Sequence, residues 1–158
     1  MQGLGYRAYQ LAGNDEQTAD ILTAIPEIIA RAPKYVILMI GGNDIRYSVA
    51  AGTYEANIAS IVSQLQAAGI TVYLSTYPVE NSGVNMTTLN AWIAATYPSN
   101  YIDVNNGFSQ TGSGVPASWL YGDTIHPTQL FHNYIAQTIS TRLYADGVGQ
   151  QFPYYATP

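Results

Sequence analysis

The residues best suited to chemistry lie in two short segments, at 41–44 and at 122–127. In the second segment, Asp123 precedes His126 by three residues and Pro127 follows directly. A carboxylate at this spacing can orient an imidazole and stabilise its cation, as a general base requires. The segment alone leaves a second interpretation equally open, in which Asp123 caps a turn and His126 is an ordinary surface residue.

The first segment is Gly-Gly-Asn-Asp at 41–44, and it follows a continuous apolar run at 35–40. Glycines let the backbone turn sharply and approach a ligand, and the Asn43 side chain offers amide donors. Taken alone, this composition is more typical of a structural turn than of a site. We interpret Asp44 as a residue that caps or braces that turn.

Strand and helix patterns alternate along the chain, which predicts an α/β domain with a doubly wound parallel sheet. The run at 35–40 is apolar throughout, which is typical of a strand covered on both faces. In such sheets, sites form beyond the carboxyl ends of the strands. The strands are predicted at 6–12, 35–40, 70–76 and 101–104, and the site loops at 13–14, 41–44, 76–78 and ahead of Pro127.

The predicted helices follow from apolar residues that recur at helical spacing. Asn14 or Asp15 is expected to cap the first helix, and Pro26 to kink it or begin a new turn. Thr53 is expected to cap the second helix, which Gly69 ends. The third helix is expected to begin at Thr87 or Thr88, and the last to hold Pro127 in its first turn and run towards Gly147.

Length and composition indicate one compact domain, since 158 residues of which 47% are apolar can form a core. We expect the domain to cover residues 1–147 and residues 148–158 to form an irregular tail. Charged residues make up only 9%, and Ser, Thr, Asn, Gln and Tyr take their place, which favours an extracellular or virion-associated protein. The N-terminus has no secretory signal pattern, so either the chain takes another route or its signal was removed.

The same composition limits the partners and cofactors. A net charge of −5 argues against nucleic-acid binding, and no apolar run is long enough to predict a membrane span. Without cysteine, disulfides and thiolate metal sites are excluded, and two histidines alone do not make a zinc site. We therefore expect no cofactor.

Together, the two segments resemble blocks III and V of the SGNH (GDSL-type) hydrolase family, in their wording and in the elements between them. The resemblance covers the chain from Tyr6 to about Gly147. It implies a flavodoxin-like three-layer fold and serine-dependent acyl transfer. His126 would be the general base and then the acid, Asp123 would hold its tautomer, and the Asn43 amide would donate to the oxyanion. A second oxyanion donor would be the backbone N–H of Gly13, although a plain turn residue is nearly as good an interpretation.

The chain departs from this family at the nucleophile, because Gly-Asp-Ser occurs nowhere and the one Gly-Asp pair, at 122–123, precedes Thr124. The sequence resembles the family from its second strand onward, so the fold is expected to lack its first strand, which in the order 2-1-3-4-5 lies inside the sheet. We expect a fragment, a complementing N-terminal segment or homo-oligomer, or a sheet that closes without that strand. Ser75 and Ser113 are weighed as substitutes for the nucleophile, and both are interpreted as structural.

Two functional hypotheses follow. The first is a serine-type ester hydrolase, a carboxylesterase or carbohydrate O-acetyl esterase, acting on a small ester or acetylated carbohydrate. The second is a non-catalytic module that binds carbohydrate or protein on the same scaffold. A nucleotide binder is disfavoured because no glycine-rich phosphate loop occurs in the expected place. His132 is expected to face away from the site, whereas four aromatic residues are expected at its mouth, where they would stack on sugar rings: Tyr47, Tyr77, Trp119 and Tyr121.

Overall fold

The computed structural model of the chain describes residues 9–11, 13–105, 108 and 115–148. Within these residues, a parallel sheet of three strands is flanked by helices, which confirms the predicted α/β class. The strands are β1 (Tyr35–Leu38), β2 (Thr71–Ser75) and β3 (Tyr101–Ile102). The α-helices are α1 (Thr18–Ala30), α2 (Gly42–Arg46), α3 (Ala51–Ala67), α4 (Thr87–Thr96) and α5 (Gln129–Ala145), and a 3₁₀ turn spans Ala117–Trp119.

The sheet separates two apolar cores, which gives the domain its three layers. Tyr35 of β1 pairs with Thr71 of β2, and Leu74 of β2 pairs with Tyr101 of β3. Successive side chains of a strand point to opposite faces. Accordingly, Leu74 packs in a core with α1, α3 and α4, whereas its neighbour Tyr73 packs in a second core with α5.

Strand β1 is less covered than the sequence predicts. Ile37 in its middle is 40% exposed, so the expectation of a strand covered on both faces is wrong there. On that face, α5 packs into the core that holds Tyr73 of β2 and Ile102 of β3. Because β1 is an outer strand of the described sheet, that helix leaves Ile37 open to solvent.

Two predictions concern segments that are described only in part. Of the strand predicted at 6–12, residues 9–11 are irregular and the others lie outside the described residues. The tail predicted at 148–158 lies outside the described residues from 149 onward, so the domain boundary stays a prediction. Within the part of the chain that the structure describes, every helix is too short or too polar to cross a membrane.

The first helix begins later than its capping signals predict. Asp15 adopts a positive φ of 58° in a turn, so neither it nor Asn14 caps the helix. Gln17 is the N-cap of α1, and its backbone N–H donates to the Asp20 carboxylate at 2.8 Å. Pro26 lies inside α1, which continues through it as one helix instead of starting a new one.

Two further helix starts differ from expectation. Ala50 is the N-cap of α3, and Thr53 lies within the first turn. Pro127 precedes α5 altogether, since Thr128 is the N-cap and Pro127 forms a bridge with Leu120. The start of α4 at Thr87 and the positive-φ Gly69 after α3 are confirmed.

Candidate active site

The Gly-Gly-Asn-Asp segment is the start of a helix rather than the predicted turn. Gly41 is the N-cap of α2 with φ of 104°, a conformation that glycine adopts without strain. This bend follows β1 directly and places Asn43 in the first turn of α2. The backbone therefore fixes the position of Asn43 at the carboxyl end of the sheet.

Gly42 is required because a tyrosine ring lies against its backbone. A Cβ built on Gly42 would lie 2.1 Å from Cζ of Tyr77, far inside any real contact. Tyr77 belongs to the loop that follows β2, so the glycine lets that loop close over α2. Tyr77 is one of the aromatic residues expected at the mouth of the site, but this contact buries its ring against Gly42. Burial raises the pKa of the Tyr77 phenol.

Asp44 braces the start of α1 instead of its own turn. Its buried carboxylate accepts from the backbone N–H of Thr18 at 2.9 Å and from the Thr18 hydroxyl at 2.6 Å. Asn57 of α3 in turn donates to that hydroxyl at 2.9 Å. Three helices therefore meet in one buried hydrogen-bond network beside Asn43.

The Asn43 side chain is held at both ends of its amide. Its Nδ2 donates to the carbonyl oxygen of Glu16 at 3.0 Å, and its Oδ1 accepts from Arg46 Nη1 at 3.2 Å. A carboxamide nitrogen carries two protons, so one remains for a ligand. The first contact brings the loop at 13–16 next to Asn43, as the topology predicts, and the role of Gly13 in that loop stays a prediction.

Arg46 and Glu80 form an ion pair that the sequence did not reveal. Arg46 Nη2 donates to both carboxylate oxygens of Glu80, at 2.7 and 2.8 Å, and the Glu80 side chain is 3% exposed. The Ser82 hydroxyl also donates to Glu80, at 2.7 Å. Arg46 and Glu80 are 34 positions apart and belong to no motif. Because the chain has few charged residues, their charge is the one signal in the sequence that could have drawn attention to them.

Asp123 and His126 form the predicted pair. Nδ1 of His126 lies 2.7 Å from Oδ2 of Asp123, which leaves Nε2 pointing away from the carboxylate. Oδ1 of Asp123 accepts from the backbone N–H groups of Ile125 and His126, each at 3.0 Å. The His126 backbone N–H, then its imidazole, then the Ile125 N–H together lower the pKa of Asp123 to about 2.

The pair stands on an exposed loop, with side-chain exposures of 72% for His126 and 45% for Asp123. Backbone bonds close the loop, because Tyr121 N–H donates to the His126 carbonyl and Thr124 N–H donates to the Tyr121 carbonyl, both at 2.9 Å. Thr124 adopts a positive φ of 63°, which turns the chain between the two functional residues. Its carbonyl accepts from Asn81 N–H at 2.9 Å.

Both candidate segments contact the loop that follows β2. Arg46 of α2 pairs with Glu80, and Thr124 of the Asp–His loop accepts from Asn81. Since Glu80 and Asn81 are neighbours in the chain, the two segments contact the same loop at one rim of the sheet. That rim is its carboxyl end, where the sequence predicts the site.

The other residues considered for the site lie elsewhere, or their side chains already form hydrogen bonds within the fold. Ser75 is buried at the end of β2, and its hydroxyl donates to the Thr76 carbonyl at 2.9 Å. Ser113 lies outside the described residues, and His132 is exposed on α5. Within the described ranges, no group of three or more His, Asp or Glu side chains is arranged to hold a metal ion.

The aromatic residues expected at the mouth divide into two groups. Trp119 packs against Phe108, Phe131 and Tyr134, and Tyr77 against Gly42. Tyr47 and Tyr121 remain 51% and 59% exposed. Of the four residues, these two keep exposed rings, one at the end of the Asn43 helix and one in the Asp–His loop.

The fold is a three-layer α/β domain with a parallel sheet, and comparison with known proteins shows the family to which it belongs. Residues 3–134 match the model of the GDSL-like Lipase/Acylhydrolase family. The chain therefore belongs to the GDSL-like lipase/acylhydrolase family. Membership supports ester hydrolysis as the reaction at the level of the family.

Solved structures share this fold. The chain resembles a GDSL-like lipase from Bacteroides thetaiotaomicron with a TM-score of 0.71 at 19% identity, over 84% of this chain and 73% of that one. It also resembles a catalytic mutant of an acetylxylan esterase from Geobacillus stearothermophilus, with a TM-score of 0.67 at 22% identity, over 82% and 68% of the two chains. At these identities, the likeness shows the fold. No curated protein matches the sequence.

Proposed function

We propose that the chain supplies the acid–base pair and the oxyanion donor of a serine-type ester hydrolase, whose nucleophilic serine lies outside these 158 residues. One observation carries the proposal. The imidazole of His126 is paired through Nδ1 with Asp123, and its loop and the Asn43 helix both contact the loop after β2 at the same rim of the sheet.

The geometry supports a two-step acyl transfer. Nε2 of His126 takes the proton of the serine hydroxyl as its oxygen attacks the ester carbonyl, and the carboxylate of Asp123 stabilises the resulting imidazolium. The second N–H of the Asn43 amide donates to the oxyanion. The imidazolium then returns its proton to the leaving alcohol, and water repeats the sequence to release the acid.

The source of the serine is inferred from what the chain contains. Gly-Asp-Ser does not occur in it, and the one serine at a strand end, Ser75, is buried and bonded to backbone. His126, by contrast, is 72% exposed, as expected for a base whose partner is contributed by another segment. That segment belongs either to the same polypeptide or to a separate chain.

Hydrolysis of p-nitrophenyl acetate tests this proposal, with the chain produced alone and together with the coding sequence directly upstream. We expect activity only in the longer form, and loss of that activity in His126→Ala. The matched control is His132→Ala, since His132 is an exposed histidine on α5 and should be dispensable.

A longer form that contains Gly-Asp-Ser and hydrolyses no ester would contradict the proposal that the protein is an ester hydrolase. The missing nucleophile would then favour the alternative, a carbohydrate- or protein-binding module on this scaffold. Equal loss of activity in both histidine variants would also contradict the assigned role of His126.

For the substrate, we propose an O-acetylated carbohydrate. Tyr47 ends α2 one turn after Asn43, and Tyr121 lies across the loop from His126, so each half of the site has an exposed ring beside it. A hydrogen bond to Asp15 raises the pKa of Tyr47 and tethers its hydroxyl. Such fixed aromatic faces suit the apolar face of a sugar ring.

Matched variants of Tyr121 test this substrate class. We expect Tyr121→Ala to raise KM for an acetylated oligosaccharide while leaving hydrolysis of p-nitrophenyl acetate unchanged, and Tyr121→Phe to retain both. An equal effect of Tyr121→Ala on the two substrates would exclude sugar stacking at this residue.

A further inference from the structure

We infer that Arg46, anchored by Glu80, is a positioning residue that fixes the orientation of the Asn43 amide. The inference rests on the proposed function, in which that amide is the oxyanion donor, and adds two residues to it. It does not make Arg46 a catalytic residue, since no contact between its side chain and the reacting atoms is needed.

An amide must present nitrogen, not oxygen, to an oxyanion. The two ends of a carboxamide have similar shape, so an unrestrained Asn43 could rotate and place Oδ1 where the negative charge develops. Arg46 Nη1 donates to Oδ1 at 3.2 Å and holds the oxygen end on its own side, in agreement with the bond from Nδ2 to the Glu16 carbonyl at 3.0 Å. The nitrogen, with its second proton, is thereby kept on the other side.

The guanidinium is in turn fixed by Glu80. Its second nitrogen, Nη2, donates to both oxygens of a carboxylate that is 3% exposed. An arginine fork can make both contacts at once, whereas the single nitrogen of lysine acts as a point charge. Arginine is therefore the residue that satisfies Glu80 and orients Asn43 together.

Glu80, which anchors Arg46, lies next to a residue that contacts the loop of Asp123 and His126. Asn81 follows Glu80, and its backbone N–H donates to Thr124 in the loop of Asp123 and His126. The Asn81 side chain also donates to the Val115 carbonyl at 3.0 Å. Two neighbouring residues of the loop after β2 thus support both halves of the site. Glu80 holds the Arg46 side chain that orients the amide, and Asn81 holds the loop that carries the imidazole.

Arg46→Lys is the informative substitution, because it keeps a cation for Glu80 and removes the fork. Arg31→Lys is the matched control, since Arg31 pairs with Glu27 in the exposed turn of α1. The direct readout is the side-chain amide signal of Asn43 in nitrogen-15 NMR of the chain, assigned by its loss in Asn43→Asp.

We expect Arg46→Lys to shift the Asn43 side-chain signal and speed its exchange with water, while the melting temperature stays within a few degrees. Arg31→Lys should leave that signal unchanged. An Asn43 signal with the same position and exchange rate in Arg46→Lys would overturn the inference. This readout needs no enzymatic activity, so it decides the matter even if the proposed function fails.

A kinetic cycle in the active form separates positioning from general loss of stability. We expect Arg46→Lys to lower kcat roughly tenfold with KM little changed, well short of the 10²–10³ that loss of an oxyanion donor typically costs. In an Asn43→Ala background, Arg46→Lys should have no further effect. Equal losses in both backgrounds would show that Arg46 acts by another route.

Discussion

The two halves of the candidate site are built in opposite ways. The helix that carries Asn43 is tied into the core, with Asp44 buried against α1 and Arg46 paired to a buried carboxylate. The loop that carries Asp123 and His126 lies on the surface and is held by short-range hydrogen bonds within itself and by one longer bond, from Asn81 N–H to the Thr124 carbonyl. The proposed oxyanion donor thus comes from structure that the fold needs in any case, whereas the proposed acid–base pair is an addition to the surface.

This difference predicts which substitutions will lower both stability and activity and which will lower activity alone. Substitutions around α2 should damage the fold and the site together, because the same contacts serve both. Substitutions in the Asp–His loop should damage the reaction alone.

The largest effect is expected at the oxyanion donor itself. Asn43→Ala should lower kcat by about 10²–10³, because the developing charge loses a preorganised donor. Steady-state kinetics of the form that contains the nucleophile will measure it. A change in KM with an unchanged kcat would show that Asn43 binds the substrate without stabilising its transition state.

Loss of the buried carboxylate comes next. Asp44→Ala should cost about 2–4 kcal/mol of unfolding free energy, because the backbone N–H and the hydroxyl of Thr18 both lose their buried acceptor. Denaturant unfolding followed by circular dichroism will measure it. Asp123→Ala is the matched aspartate on the surface and should lower the unfolding midpoint less, because its hydrogen bonds lie within an exposed loop. Similar losses in both variants would break the contrast between the halves.

A smaller effect is expected where the loop after β2 closes on α2. Gly42→Ala should cost about 1–3 kcal/mol, because its Cβ would overlap the Tyr77 ring. Gly52→Ala in α3 is the control, since a Cβ there meets nothing within 4 Å. Tyr77→Ala should remove most of the Gly42→Ala penalty. If the penalty persists, its cause lies elsewhere.

The smallest effect concerns the ionisation of Asp123. Its pKa of about 2 lies below the ordinary 3.8, so the carboxylate stays charged as the pH falls through 3.8 and is protonated only near 2. His126→Ala keeps the backbone N–H that contributes most, so the midpoint should rise but remain below 3.8. A carbon-13 NMR titration of the carboxyl group will measure it. A full return to 3.8 would assign the shift to the imidazole instead.

Sequence reasoning located the site better than it located the boundaries of elements. The segments at 41–44 and 122–127 could be found because their chemistry is local, and Asp123 does meet His126 as the spacing predicts. Helix starts such as Gln17 were missed because capping depends on the turn that precedes them.

The remaining differences are long-range. The Arg46–Glu80 pair joins distant residues, and the exposure of Ile37 depends on where α5 packs. Neither leaves a pattern in the local sequence. The three-dimensional fold, not spacing, brings Arg46 to Glu80.

The central claim is that Asn43 and His126 face one cleft, and a paramagnetic label tests it most directly. The chain has no cysteine, so Tyr121→Cys offers a single attachment point beside His126. The account predicts strong broadening of the Asn43 amide signals by a nitroxide there, and little from one at Lys34→Cys, before β1 at the other end of the sheet. Sharp Asn43 signals with the label at position 121 would contradict it.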